Sequence, residues 1–279
     1  MAIQSPPAVN ETRFAALSDG VTLMQANFTD HAFERHSHDC FSIGITTYGV
    51  QSFQCRGQRY NSQAGDFVLF NPDEDHDGSR GTDAGFRYTI WYVPADFVAS
   101  CLAAEGGSAA SPYFASPHIS DRNMAGAFGR LSASLSAAPS ETMTVESNMR
   151  AFLGALLCRY GERPESIQRQ PPNASTASLA RVKEYMQAYF QRDITVADLA
   201  SIAGLSRAHL TRAFTAAYHT PPHVYLNAVR LARAKTLIRA GMPLADVAAA
   251  CGFADQSHLT RRFKGSWGIT PAGWRENMR

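Results

Sequence analysis

No stretch of the 279 residues approaches the ~20 consecutive apolar residues that a membrane-spanning helix needs, so a soluble protein with no membrane partner is expected. The opening, MAIQSPPAVNETRF, lacks a basic start followed by an apolar run, which argues against a secretory signal. Cysteine is sparse: Cys40, Cys55, Cys101, Cys158 and Cys251 are odd in number and have no CxxC spacing. That pattern argues against a disulfide framework and suits a cytoplasmic protein with reduced thiols. Residues 161–178, GERPESIQRQPPNASTAS, hold hardly any apolar side chain and are rich in Pro, Gln and Ser, as a linker is.

A 45% apolar fraction is ample for buried cores, and the length favours two domains over one. The net charge of +2 conceals a polarity. Residues 177–279 carry 14 Lys and Arg against 6 Asp and Glu, net +8, while residues 1–176 carry 12 against 18, net −6. A basic C-terminal half beside an acidic partner suits phosphate binding by one and not the other.

The basic half also repeats itself. Asp198, Leu199, Ala200 and Gly204 precede Asp246, Val247, Ala248 and Gly252 by 48 positions. His209, Leu210, Thr211, Arg212 and Phe214 precede His258, Leu259, Thr260, Arg261 and Phe263 by 49, so the second turn holds one extra residue. Each copy reads as helix, tight turn, second helix. Gly252 ends its first helix as a left-handed residue should, and Ser206 is placed to cap the second helix of the first copy. Leu259 and Phe263, four apart, share one face, and polar and basic side chains surround it. Such a helix suits a DNA major groove, and two of them joined by a long helix suit successive grooves roughly 34 Å apart. The joining helix, His223 to Ala240, would be about 27 Å long at 1.5 Å per residue.

With GF-x4-HLTRRFK-x3-GITP-x2-W in the second copy and GLS-x2-HLTRAF followed by PPHVYL in the first, the chain resembles the AraC/XylS family of bacterial transcription regulators. His219 departs from the family by standing where Gly is common, and Ala208 is small where larger contact residues also occur. The residues expected to face double-stranded DNA are Arg207, Ala208, Thr211 and Arg212 in the first unit. In the second they are Asp255, Gln256, Ser257, His258, Thr260 and Arg261, with Arg262 and Lys264 as phosphate ligands. Arg212 and Arg261 have the fork that pairs with guanine, and Gln256 the amide that pairs with adenine. Phosphate contact competes for both arginines, and a shared structural role competes for His209 and His258.

From Val21 to Tyr92 the signals are β. VTLMQANF, FSIGITTY, QSFQCR, QRYNS, GDFVLFN and FRYTIWYV are short, aromatic or β-branched, and separated by turn chemistry such as YGV, QAGD and NPDED. With His36-Ser37-His38 and the later GDFVLFNP run ending at His76, this part resembles the cupin barrel at the front of many AraC/XylS regulators. The resemblance implies a small-molecule effector in the barrel, with His36, His38, Tyr48, His76 and Trp91 as lining residues. No cofactor is required. A divalent metal, Zn or Fe, on His36, His38 and His76 competes with the same residues as polar lining, since Ser42 or Ile43 stands where metal cupins carry Glu. Arg35, Arg56 and Arg87 are candidate partners of an anionic ligand.

Residues 94–160 turn helical, in PADFVASCLAA, DRNMAGAFGRLSASLSAA and TVESNMRAFLGALLCRY. The resemblance implies a homodimer through these helices; covering the barrel is the alternative. The expected fold is thus α+β in two domains: a cupin-like effector and dimerisation domain over 1–162, a linker over 163–176, and an all-α double helix-turn-helix domain over 177–279. The expected function is a sequence-specific transcription regulator, an activator by default, responding to an effector and contacting RNA polymerase. The competing readings are a metal-dependent cupin enzyme fused to a DNA-binding domain, and a regulator that needs no effector.

Overall fold

A computed structural model describes residues 10–104, 112–137, 142–162 and 174–278. The chain clusters into two compact units. One comprises residues 1–32, 40–72 and 78–168, the other residues 33–39, 73–77 and 169–279. Among the described residues no helix is long and apolar enough to cross a membrane.

The first unit is built on antiparallel strands: β1 (Glu11–Ala16), β2 (Thr22–Phe28), β4 (Phe41–Cys55), β5 (Gln58–Gln63), β6 (Asp66–Phe70), β7 (His76–Arg80), β8 (Phe86–Val93), β9 (Tyr113–Phe114), β10 (His118–Ser120) and β11 (Gly161–Glu162). β3 (Phe33–His36) belongs to the second unit and pairs with β7, whose first two residues also lie there. The main sheet runs β1-β2-β8-β4-β6-β10. β4 is the axis: its first half pairs β6 and β8, and its second half, Val50 to Cys55, pairs β5.

Three helices, α1 (Ala95–Ala104), α2 (Arg122–Ala137) and α3 (Thr142–Tyr160), pack their apolar faces with one side of the sheet. Leu23, Ile43 and Trp91 meet Phe128, Phe152, Leu153 and Leu156 in one core. A smaller cluster of Phe53, Cys55, Val68 and Phe70 forms around the outer half of β4. Asp121 starts α2 by accepting the amides of Asn123 and Met124, and it also receives the Tyr160 hydroxyl at 2.6 Å, tying the start of α2 to the end of α3.

The structure differs from the sequence reading at several points. An arm is expected over residues 1–12; residues 1–9 lie outside the described residues, but Glu11 and Thr12 are strand, because Phe14 is buried and carries its neighbours into register with β2. The YGV turn is no turn. Gly49 has φ +68° and a register shift falls between Thr46 and Tyr48, so the strand bulges and continues. Only glycine fits there, since a Cβ would lie 2.0 Å from the Gly85 carbonyl oxygen. The linker expected over 163–176 lies outside the described residues as far as 173, and Ala174 already opens a helix.

The helical part of the second unit holds α4 (Ala174–Ala188), α5 (Val196–Ala203), α6 (Arg207–Tyr218), α7 (Pro222–Arg239), α8 (Leu244–Ala250), α9 (Gln256–Trp267) and α10 (Pro271–Asn277). Leu179, Val182 and Met186 of α4 pack with Leu199, Ala203, Leu210, Phe214 and Tyr225. Thr195 and Asp198 form a reciprocal capping box at α5, and Gly204, at φ +67°, ends that helix. His219 takes the left-handed position at the end of α6 with φ +54°, the conformation for which glycine is usual. α7, the joining helix, starts at Pro222 and runs 18 residues, about 27 Å.

Two substitutions test these elements. Ser206→Ala removes the side-chain acceptor of the His209 amide and is expected to cost about 1 kcal/mol, read as a shift of the urea transition monitored by helical circular dichroism. Asp66 in β6 gives the pH test. Burial raises its carboxyl, but hydrogen bonds from the Ser120 hydroxyl, the Gln63 amide and His118 outweigh this and hold it below the ordinary value. Its contribution is therefore present above the unfolded-state value of about 3.9 and is lost as pH falls through the lower folded value. Asp66→Asn is expected to lower the melting temperature at pH 7 by more than it does near pH 2.

Candidate functional site

The two copies of the repeat each present a helix whose start is fixed by a side-chain cap. Ser206 accepts the His209 amide at 3.3 Å, and Asp255 accepts the His258 amide at 2.6 Å. Each cap sets the rotational phase of its helix. Leu210 and Phe214 in α6, and Leu259 and Phe263 in α9, turn inward and are fully buried. Arg207, Ala208 and Arg212 are then exposed on α6, and Gln256, Ser257, Arg261 and Lys264 on α9, with Thr211 and Thr260 half-buried beside them. The hydroxyl of Thr211 donates to the Arg207 carbonyl at 3.0 Å.

Three residues expected to face DNA are occupied otherwise. The Asp255 carboxylate is the cap of α9. The His258 ring packs edge-on against Phe253 and accepts the Ala254 amide through Nδ1. Partial burial, then Arg262 and Arg261, push its pKa down, so the ring serves the turn as a neutral acceptor. Arg262 is half-buried and its Nη1 donates to Glu34 at 2.9 Å, within the same unit. The Glu34 carboxylate competes with phosphate for this partly exposed guanidinium. The repeat leaves a structural role open for His258, and the folded chain shows its form: a capped amide and a ring that accepts within the turn.

Other residues escape the sequence reading. Arg230 of α7 is 9% exposed, and it donates through Nε to the Phe190 carbonyl and through Nη2 to that of Arg192, both at 2.8 Å. It braces the turn between α4 and α5 against the joining helix. Lys235, on the same helix, sets its Nζ 3.7 Å from the centre of the Trp267 ring. Lys183 of α4 donates to Asp73 at 2.8 Å. In sequence, basic residues at these positions look like a solvated surface, and only their partners distinguish them.

The barrel candidates belong to different units. His36, His38 and His76 come together in the second unit, all buried. Burial, then the neighbouring rings, lowers the pKa of His38 well below its ordinary value; burial, then His36, does the same for His76. Tyr48 belongs to the first unit, half-buried, with the Arg87 guanidinium 5.9 Å from its ring centre. Trp91 is no lining residue: it has no exposed surface, packs 4.4 Å from Phe128 and 5.6 Å from Phe152, and donates its indole hydrogen to Ser132. A strand residue facing three helices serves their core whatever its polar handle. The three arginines offered for an anion also have protein partners: Arg35 bonds Asp75, Arg56 the Phe114 and Ala115 carbonyls, and Arg87 Asn27. A shallow polar cleft of about 270 Å³ opens beside Arg87, bounded by Glu11, Arg13, Gln25, Asn27 and Thr89.

Residues 20–153 match the AraC-like ligand binding domain, and residues 199–277 a helix-turn-helix domain. The chain is 28% identical over 252 residues to YbfI, an HTH-type transcriptional regulator of Bacillus subtilis, covering 90% of each. It is 24% identical over 274 residues to the HTH-type transcriptional activator RhaS of Klebsiella pneumoniae, covering 96% of each. Its fold is similar to that of unsaturated-fatty-acid-bound wild-type ToxT from Vibrio cholerae, with a TM-score of 0.56 at 14% identity over 99% of this chain and 98% of that one. With a ligand binding domain in front and a capped, repeated DNA-binding unit behind it, this chain belongs to the AraC/XylS family of helix-turn-helix transcriptional regulators.

Proposed function

We propose that the chain is a cytoplasmic, homodimeric transcription activator that grips a promoter with α6 and α9 and answers to a small effector held by its β-rich half. The observation that carries the reading is the pair of capped helices with Arg212 and Arg261 exposed at equivalent positions of the repeat. Arg261, with Gln256 and Ser257 beside it at the start of α9, reads base edges in the major groove. Arg207, Arg212 and Lys264 supply base or phosphate contacts, while Ala208 and the two threonines shape the surface between them. Asp255 and His258 set the start of the helix rather than touching bases.

Relatives support the regulatory half of this reading: RhaS is named as an activator, and ToxT is described with a fatty acid bound. For an effector to act, it must bind the DNA-competent form more tightly than the other, and DNA must then raise effector affinity by the same factor. Contact with RNA polymerase completes the activator reading.

Arg261→Ala is expected to weaken binding to the cognate promoter by about 1–3 kcal/mol, roughly 5- to 150-fold, and to relax base preference at one position. Lys264→Ala is expected to weaken binding to all duplexes about equally and to reduce the slope of log affinity against log salt by about 1. Gel-shift titrations at several salt concentrations measure both. Unchanged affinity of Arg261→Ala for the cognate site rejects its reading role, and a wild-type chain that binds no duplex at low salt rejects the function.

A further inference from the structure

His36 closes β3, His38 follows two residues later, and His76 opens β7. Their exposures are 7%, 4% and 6%. The ring centres stand 4.8 Å apart for His36 and His38, 4.5 Å for His36 and His76, and 5.5 Å for His38 and His76. One ring nitrogen from each lies within 4.8 Å of the others. Three imidazoles on a tetrahedral ion, with metal–nitrogen distances of 2.0–2.1 Å, have ring centres roughly 5 Å apart and nitrogens roughly 3.3 Å apart. The ring centres have that spacing, and the nitrogens, within 4.8 Å of one another, must draw closer by up to about 1.5 Å to bind one ion.

The backbone orients two of the rings. The Nδ1 of His36 lies 2.6 Å from the Glu34 carbonyl, and that of His76 lies 3.0 Å from the Glu74 carbonyl. A carbonyl oxygen only accepts, so Nδ1 carries the proton in both rings and Nε2 holds the lone pair. Imidazoles that ligate a metal are commonly held in this way. Each of these two rings is anchored by the carbonyl two residues before it.

We propose that His36, His38 and His76 bind one borderline divalent cation of the zinc class. An all-imidazole donor set suits zinc and its neighbours, whereas magnesium and calcium demand oxygen. Three protein ligands leave a coordination position for a solvent molecule or a small anionic ligand. The ring of His38 also packs 4.4 Å from that of Trp267, the last residue of α9. The site therefore sits against the end of the second DNA-reading helix. Its meaning for regulation rests on the proposed function; its coordination chemistry does not.

The test uses the full chain, stripped with chelator and then titrated with Co²⁺ and Zn²⁺. One equivalent of Co²⁺ per chain is expected, with visible absorption bands of tetrahedral intensity that Zn²⁺ abolishes. X-ray absorption of the zinc-loaded wild-type chain is expected to show imidazole scattering from three rings. His36→Gln and His76→Gln are expected to weaken binding roughly 100-fold or more, and His118→Gln, on a different strand beside Asp66, to leave it unchanged. Absent bands and less than a tenth of an equivalent in the wild type overturn the proposal, as does a scattering pattern without imidazole; neither depends on a variant folding. DNA titrations of the stripped chain keep the two readings apart. Salt-sensitive DNA binding without a metal site defeats this proposal alone, and a metal site in a chain that binds no duplex defeats the proposed function alone.

Discussion

A helix begins with backbone amides that have no partner within it, and here two side chains decide where that beginning falls. Ser206 and Asp255 each take up an amide three residues on, and the rest of the helical unit is phased from those two points. One residue earlier or later, the helix would rotate by about 100°, and the inward leucine and phenylalanine would no longer face the core. Core packing, cap and outward surface are thus a single constraint. It also explains why the second copy accepts one extra residue in its turn: the insertion falls before the cap, so the phase of α9 is unaffected.

The helical half is legible because its signals are local. The 48- and 49-residue offsets, the cap at Ser206, the Thr195–Asp198 box and the glycine after α8 are all defined by neighbours within a few positions. Illegible are the choices between identical side chains. Arg261 and Arg262 are adjacent and chemically the same, yet one is exposed and the other meets Glu34, more than two hundred residues away in sequence. Arg230 reads as one more basic residue on an amphipathic helix until the carbonyls of Phe190 and Arg192 are seen to receive it. His258 and Asp255 look like readers of bases because they begin a recognition helix, and the same position makes them parts of its foundation.

The β-rich half is less legible, since its partners are remote in sequence. Alternation and turn residues locate most of the strands, but β3 and β7 are short and polar and carry little periodic signal. Gly49 is misleading because a glycine in a bulge and one in a reversal share the same positive φ; the difference lies in whether the strand runs on past it, as β4 does here into its pairing with β5. Trp91 misleads because facing a pocket and facing three covering helices require the same large side chain. A motif suffices to place the histidines together, while the carbonyls that orient their rings have no signature at all.

The length of β4 has a consequence for how this half tolerates change. One continuous strand serves β6 and β8 along its first part and β5 along its last, with alternate residues assigned to opposite faces on either side of the bulge. Deleting a single residue near the start of the strand would invert the inward and outward roles of the positions up to the bulge, exchanging Ile43 and Ile45 for their neighbours Ser42, Gly44 and Thr46. Length variation among descendants of this chain should therefore collect in the hairpin at Arg56-Gly57 and be purged from the strand itself.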